Sequence, residues 1–339
     1  MLPLALQLFA MLVLILIAAE VFTNALEHLG ERLRISEGVT GSLFAAVGTA
    51  LPETMVPLLA IFAGTSNTAI NEEIGVGAIL GAPLMLGTLS CCLMALSILP
   101  RRGLQGKLRP EHGGLTRDLN FFLFAFLLAA LAMFVPRDQT AWRAALGFSL
   151  VLTYFIYLML TLRASSKLVE DGHGTEAEGK MLLARLGLPT NLPVIGIQLA
   201  LGLGLLVAGA KGFIHGVEAV SAHLGISALL LSLLIIPIAT ELPEKVNSIL
   251  WIRRGKDTLA FGNITGAMVF QGTLLPAIGI MLTPWEPRVE VLAGVIITLA
   301  AAAWLRFKAQ TGGMPVWALL VNGGLYLGYL AIALGGSGT

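Results

Sequence analysis

The sequence predicts an all-α polytopic membrane protein whose ten transmembrane helices form two inverted repeats of five. Three observations support this prediction: the composition is strongly apolar, the apolar runs are long enough to cross a bilayer, and the second half repeats polar features of the first. Hydrophobic residues make up 56% of the 339 residues and charged residues only 12%, about half the charged fraction of soluble domains. This composition excludes an ordinary soluble domain. A net charge of +1 gives no reason to expect a nucleic-acid partner.

Ten apolar stretches are each long enough to cross a membrane, which takes about 20 residues in a helix. The first contains no charge over residues 1–19 and lacks the basic start of a secretory signal. It also continues past the length of a signal peptide, so we interpret it as an uncleaved transmembrane helix. The predicted spans are 4–27, 38–63, 73–99, 118–136, 141–163, 191–216, 225–250, 257–283, 289–306 and 314–335.

Lysine and arginine are distributed unequally over the connections between these spans. When the connections are assigned alternately to the two sides, sixteen basic residues fall on one side and three on the other: Arg137, Arg143 and Arg288. Cytoplasmic loops are the ones that carry excess basic residues. The sequence therefore predicts a multi-pass protein of the cell (inner) membrane with both termini outside the cytoplasm.

The longest polar connection divides the chain into two halves of five spans each. It covers residues 164–190 and is rich in glycine and charge. We therefore predict a first membrane repeat at 1–163, a cytoplasmic linker at 164–190 and a second membrane repeat at 191–339. A repeat with an odd number of spans must insert its second copy upside down. This inverted arrangement is typical of secondary transporters, whose substrate site lies near the bilayer midplane between the repeats.

Matching residues of the two halves lie a constant distance apart. Glu53 precedes Glu244 by 191 residues, and Glu20 precedes Lys211 by the same interval. Glu20 and Lys211 lie inside the first and sixth spans, where a mutual ion pair or a gating role is conceivable, and we favour a structural role. Glu53 and Glu244 lie deep inside their spans, where an unpaired glutamate costs about 2–3 kcal/mol or more. Their symmetric placement indicates a function.

Each of these two glutamates belongs to a short motif with a proline and a threonine. The motifs are "GTALPE" at 48–53 and "ATELPE" at 239–244. Their prolines, Pro52 and Pro243, lack an N–H and crowd the carbonyl four residues earlier, which breaks or kinks a helix. Freed carbonyls at membrane depth are tolerated only inside protein or beside water. In each motif a threonine, Thr49 or Thr240, precedes the glutamate by four residues and shares its helix face. Glutamate, hydroxyl and carbonyl oxygens suit hard cations such as Ca²⁺.

These motifs, each followed by a "G-x-x-x-G-A" helix, resemble the two α-repeats of the sodium/calcium exchanger family, in the cation/Ca²⁺ antiporter superfamily. The family pattern is roughly G-T-S-L-P-E followed by G-N-x-x-G-S-N, and the resemblance covers nearly the whole chain. It implies ten helices in two inverted repeats with a cytoplasmic central loop. It also implies a midplane site in which Thr49, Glu53, Thr240 and Glu244 bind cations.

The chain also departs from that family pattern, so what it resembles is a divergent member of the family. Ala50 and Glu241 stand where the family has serine, and Gln271 stands at a position that is usually acidic, whereas Asn263 is retained. The site is thus poorer in ligands on the first-repeat side and richer on the second. We predict metal-binding roles for Glu53 and Glu244 and an ion-binding set of Glu53, Glu244, Thr49, Thr240, Glu241, Gln271 and Asn263. Interhelical hydrogen bonding is an equal alternative for Asn263.

Lys245 follows directly on one of the proposed ligands and is predicted to modulate the charge of the site. Three glutamates and one lysine give the cluster a net charge of −2, which matches one Ca²⁺. Glu241 and Lys245 are four residues apart, which favours a helical ion pair. In a second interpretation, the fixed ammonium of the lysine takes the place of one transported Na⁺ in the site. In a third interpretation the lysine extends to the membrane interface and has little influence.

The function expected from these features is secondary active antiport of Ca²⁺, or a related cation, against Na⁺ by alternating access. Two alternatives stay open: exchange coupled to H⁺, and a non-transporting relative that acts as a sensor. The chain lacks an H-E-x-x-H motif or a nucleophile next to a base, so we do not expect an enzyme. We expect no cofactor and no nucleic acid. The expected partners are inorganic cations and membrane lipids, and the sequence leaves the oligomeric state open.

Overall fold

The computed structural model describes residues 2–32, 51–169, 180–309 and 313–336, and nearly all of them are helical. In chain order the helices are α1 Leu2–Arg32, α2 Leu51–Ala63, α3 Thr68–Met85, α4 Cys91–Arg102, α5 His112–Ala132, α6 Thr140–Val169, α7 Leu182–Arg185, α8 Leu192–Leu224, α9 Ala228–Thr240, α10 Leu242–Arg253, α11 Asp257–Leu282, α12 Val289–Ala309 and α13 Val316–Gly336.

The one departure from an all-helical chain in the described ranges is a pair of two-residue strands. Strand β1, Lys107–Leu108, runs antiparallel to β2, Met314–Pro315. The amide of Trp317 also donates to the carbonyl of Leu104 at 3.1 Å. Two connections at the same end of the helical bundle thus pair some of their backbone groups with each other.

Eight helical stretches in the described part of the chain are long and apolar enough to span a membrane. The multi-pass prediction is confirmed, but the structure does not reproduce ten uninterrupted spans. Two predicted spans, 38–63 and 225–250, are represented by the shorter apolar helices Glu53–Ala63 and Ala228–Ile238. The first half of 38–63 lies outside the described residues. The predicted span 225–250 is divided into α9 and α10, as its proline motif predicts.

The helix break in the second repeat lies at Glu241. Helix α9 ends at Thr240, and α10 begins with Pro243 in its first turn. Glu241 adopts φ −86° and ψ 7°, away from helical values. Proline is well suited to the start of a helix because its missing N–H is not needed there. The break therefore follows from the position of Pro243. The matching break at Pro52 stays a prediction, because residues 33–50 lie outside the part of the chain that the structure describes.

A second irregularity interrupts the predicted span 73–99, which extends over Thr68–Arg102. A π-helical turn at Leu86–Ser90 separates α3 from α4, three residues after Pro83 inside α3. A proline in a helix deprives the carbonyl four residues earlier of its partner and disturbs the ladder. The side-chain amide of Asn322, in α13, donates from Nδ2 to the Gly87 carbonyl at 2.6 Å. The disturbed backbone is thus satisfied by a side chain from a neighbouring span.

Helices α1 and α8, which correspond to each other in the two repeats, pack antiparallel along most of their length. Glycines of α8 face side chains of α1 in one register, through the contacts Gly202–Phe22, Gly209–Ile15 and Gly216–Leu8. In this register Glu20 lies level with Gly204, and Lys211 lies level with Val13. The two charges are therefore separated by about seven residues, or ~10 Å, along the helix axis. Both are exposed, and the structure shows no ion pair between them. Their suggested pairing is wrong.

Helices α3 and α9, one from each repeat, approach closely enough for their backbones to touch. A Cβ added at Gly77 would lie 2.7 Å from the Leu229 carbonyl oxygen, and one at Gly81 would lie still closer to that of Leu233. Small residues permit such contact between membrane helices. This packing joins the first repeat to the half-helix that carries the second proline motif.

The structure also changes the limits of the predicted linker at 164–190. Helix α6 continues to Val169, six residues past its predicted end, and the short helix α7 lies inside the linker. The amide of Leu182, in α7, donates to Asn24 Oδ1 at 2.9 Å. Asn24 also accepts from Gln198 Nε2 at 2.9 Å. The described end of the linker is therefore attached to α1 and α8. The division into two repeats around this linker stays a prediction.

Candidate cation site

Three carboxylates meet where the two proline motifs converge. Glu53 lies in the first turn of the described α2, Glu241 at the break between α9 and α10, and Glu244 in the first turn of α10. One oxygen of each lies within 4.8 Å of the others. Their exposed fractions are 4%, 0% and 4%. Residues 191 positions apart in the sequence thus share one buried position, as the inverted repeat predicts.

Most oxygens that face this cluster lack a hydrogen-bond partner among the described residues. Gln271, in α11, donates from Nε2 to Glu241 Oε1 at 2.7 Å. Its carbonyl oxygen Oε1 has no partner, and neither has one oxygen each of Glu53, Glu241 and Glu244. Buried polar atoms are normally satisfied, and buried charges are paired or coordinate metals. A buried cluster of carboxylates with an unsatisfied oxygen on each member is the arrangement expected of a cation site.

Lys245 lies close to the carboxylates but does not form the predicted ion pair with Glu241. Its side chain is 7% exposed. The ammonium donates to the carbonyl oxygens of Pro237 and Ile238, at 2.8 Å and 3.5 Å. The i,i+4 rule requires two residues in regular helix, and Glu241 occupies the break, where its side chain turns to Gln271 instead. The burial of Lys245 also excludes the interpretation in which it reaches the membrane interface.

Two other predicted site residues are placed around the cluster rather than inside it. Thr240 is buried, and its hydroxyl donates to the Ile236 carbonyl within α9 at 3.2 Å. Asn263 donates from Nδ2 to the Glu244 carbonyl at 3.0 Å and to Ser248 Oγ at 2.9 Å. Asn263 therefore holds α10 against α11 and fixes the backbone that carries Glu244. Thr49, also predicted as a ligand, lies outside the described residues.

The sequence analysis did not identify Asp118, a buried carboxylate outside the cluster. The predicted span 118–136 begins at Asp118. The helix α5 begins earlier, at His112, so Asp118 lies almost two turns inside the helix. Asp118 is 5% exposed and accepts hydrogen bonds from Tyr157, at 3.1 Å, and Thr265, at 2.7 Å. These bonds join α5, α6 and α11. Its partners lie 39 and 147 residues away, and the one available signal was an acidic residue beside a long apolar run.

Comparison with known proteins agrees with this architecture. The family model described as sodium/calcium exchanger protein matches residues 3–163 and 195–335. A putative antiporter, CaxA of Alkalimonas amylolytica, is 29% identical over 283 residues, which are 80% of this chain and 79% of that protein. The inner membrane protein YrbG of Escherichia coli K12 is 25% identical over 324 residues, which are 90% of this chain and 93% of YrbG.

Solved structures show the same fold. The H⁺/Ca²⁺ exchanger CAX superposes with a TM-score of 0.72 at 19% identity, over 96% of this chain and 81% of CAX. The sodium-calcium exchanger NCX_Mj superposes with a TM-score of 0.57 at 19% identity, over 98% of this chain and 99% of NCX_Mj. At this identity the superpositions show the shared fold alone. Since the family model also matches most of its length, the chain belongs to the sodium/calcium exchanger family.

Proposed function

We propose that this protein is a secondary active antiporter that moves Ca²⁺, or a related cation, against Na⁺ by alternating access. The observation that carries the proposal is the buried cluster of Glu53, Glu241 and Glu244, each of which has one oxygen without a hydrogen-bond partner. Carboxylate and amide oxygens are the ligands that Ca²⁺ prefers, in numbers of six to eight. Backbone carbonyls of the broken helix and water are available to complete such a shell.

The charge of the cluster also favours a divalent cation. Three carboxylates and the Lys245 ammonium have a net charge of −2 when all are ionised. One Ca²⁺ would neutralise this cluster, whereas the empty cluster leaves like charges close together in a poorly solvated place. Such repulsion is relieved by a bound cation or by protons. Exchange of one bound cation for another, or for protons, follows if the site opens to the two sides of the membrane in turn.

The arrangement of the helices supports alternating access. The cluster combines α2 of the first half with α9, α10 and α11 of the second, so it lies where the two halves meet. Helices α1 and α8 pack chiefly against each other. In this proposal that helix pair slides or rocks past the remaining helices and exposes the fixed site to one side and then to the other.

The decisive experiment is ⁴⁵Ca²⁺ uptake by proteoliposomes that contain the purified protein. An outward Na⁺ gradient at equal pH is expected to drive uptake, and dissipating that gradient is expected to stop it. Uptake driven only by a pH gradient would replace Na⁺ with H⁺ as the coupling ion. Binding of Ca²⁺ without any flux would instead identify a non-transporting sensor and reject antiport.

The orientation of the protein is part of the same proposal. We expect both termini, and the connection at 64–67 between α2 and α3, to lie outside the cytoplasm of an inner membrane. The reason is the excess of lysine and arginine on the opposite connections. A reporter active only in the cytoplasm, fused after Thr339, is expected to give no signal, and the same reporter inserted after Gly103 is expected to give full signal. The reverse pattern would overturn the orientation.

A further inference from the structure

The ammonium of Lys245 occupies a position lined by oxygen atoms beside the carboxylate cluster. It donates to the carbonyl oxygens of Pro237, at 2.8 Å, and Ile238, at 3.5 Å. Lys245 also directly follows Glu244, one of the three carboxylates of the cluster. The side chain is 7% exposed, so bulk solvent does not replace these contacts. A positive charge is therefore held inside the candidate site by covalent attachment to α10.

The two carbonyl oxygens are available because α9 ends here. The last carbonyls of a helix have no intrahelical partners and carry the negative end of its dipole. The Pro237 carbonyl accepts from the Glu241 amide at 3.2 Å, which leaves it a second lone pair. Carbonyl oxygens with a neighbouring carboxylate are a ligand set for a hard monovalent cation such as Na⁺. The position that Lys245 fills thus has the chemistry of a cation site.

We infer that Lys245 acts as a built-in monovalent cation, so that the protein binds one Na⁺ fewer than it would with an uncharged residue at this position. This inference rests on the proposed cation site. Glu241 adds one negative charge to the pair formed by Glu53 and Glu244, and Lys245 adds the compensating positive charge. The protein therefore keeps a site charge of −2 without a mobile monovalent ion at the end of α9.

A purely structural role for Lys245, as a cap of α9, makes a different prediction. A cap affects stability alone, whereas a built-in cation also determines how many mobile ions the site holds. Removal of the charge leaves three carboxylates, a charge of −3, and two carbonyls without their donor. A mobile cation is then expected to take the vacated position.

The test counts bound ²²Na⁺ per chain by equilibrium dialysis of the purified full-length protein in detergent without Ca²⁺. Lys245→Gln and Lys245→Met are expected to bind one more Na⁺ per chain than the wild type. Lys211→Met removes a lysine of the same length from an exposed position on α8, and it is expected to leave the count unchanged. An unchanged count in both Lys245 variants, when they elute as folded protein in size-exclusion chromatography, would overturn the inference.

A second measurement, on the wild type, tests the role of Lys245 as a built-in cation if neither Lys245 variant folds. Calcium affinity is measured by calorimetry in a buffer whose only monovalent cation is N-methyl-D-glucamine, and then with added Na⁺. Calcium binding that does not require Na⁺ is the result expected of a built-in cation, and an affinity that rises with Na⁺ contradicts it. Lack of ⁴⁵Ca²⁺ exchange by the wild type would reject the proposed function, whereas an unchanged ²²Na⁺ count would reject only the role of Lys245.

Discussion

Replacement of Glu53 or Glu244 with glutamine is expected to abolish cation exchange and to leave the protein folded. Each substitution keeps the shape of the side chain and removes one of three charges that face a common point. The loss of one partner from a buried charged interaction costs about 3–5 kcal/mol, which corresponds to a loss of about 100-fold or more in cation affinity. Initial ⁴⁵Ca²⁺ uptake by proteoliposomes and Ca²⁺ binding by calorimetry measure the two consequences.

The matched control for these variants is Glu20→Gln. Glu20 is also a glutamate within a predicted membrane span, but it is exposed on α1 and lies away from the cluster. Its replacement is expected to leave uptake within twofold of the wild type. Thermal midpoints in detergent check that all three variants are folded. Wild-type uptake by either the Glu53 or the Glu244 variant would exclude the carboxylate cluster as the transport site.

Replacement of Arg143 with methionine is expected to cause the largest loss of stability, about 3–5 kcal/mol. Arg143 lies at the start of α6 and is only 4% exposed. Its guanidinium donates to the carbonyls of Ile280, at 2.9 Å, Thr283, at 2.6 Å, and Pro284, at 2.9 Å. These are the final carbonyls of α11 and the residues after it, so methionine would leave several buried acceptors without a donor. A fall of several degrees in the thermal midpoint in detergent is the expected result.

Arg137→Met is the control for this substitution. Arg137 lies on the connection that precedes α6. Its side chain is 64% exposed, and its guanidinium lies 3.3 Å from Glu72 Oε1. Exposed ion pairs contribute about 0–1 kcal/mol, so its replacement is expected to change the midpoint by no more than about a degree. Equal effects of the two arginine substitutions would show that the carbonyl contacts of Arg143 do not stabilise α11.

The proline motif of the second repeat shows how much local sequence could predict. Pro243 lacks an N–H, and the break that this implies is present, with α9 ending at Thr240. The inverted repeat then placed Glu53 beside Glu244, and the structure brings them together. The count of ten spans stays a prediction, since the described residues contain eight membrane-length helical stretches. Apolar length alone cannot distinguish one continuous span from two half-helices.

Lys245 shows where the same reasoning failed. Its spacing from Glu241 is that of a helical ion pair, yet its ammonium bonds to carbonyls of α9. Whether two residues four apart share a helix face depends on whether both are helical, and Glu241 is not. The sequence analysis did not identify Asp118 as buried for a related reason. Its partners, Tyr157 and Thr265, lie on other helices, and no local pattern links them.

The sequence by itself determined the membrane class and the three glutamates close to a proline-broken helix. These features depend on composition, on a constant spacing between equivalent residues, and on the missing N–H of proline, which act locally. Only the tertiary structure decided that Gln271 bonds Glu241, that Lys245 reaches the end of α9, and that Asn322 supports the π-helical turn. These contacts depend on how far each helix is rotated and shifted against helices distant in sequence, and packing across the whole bundle sets those relations.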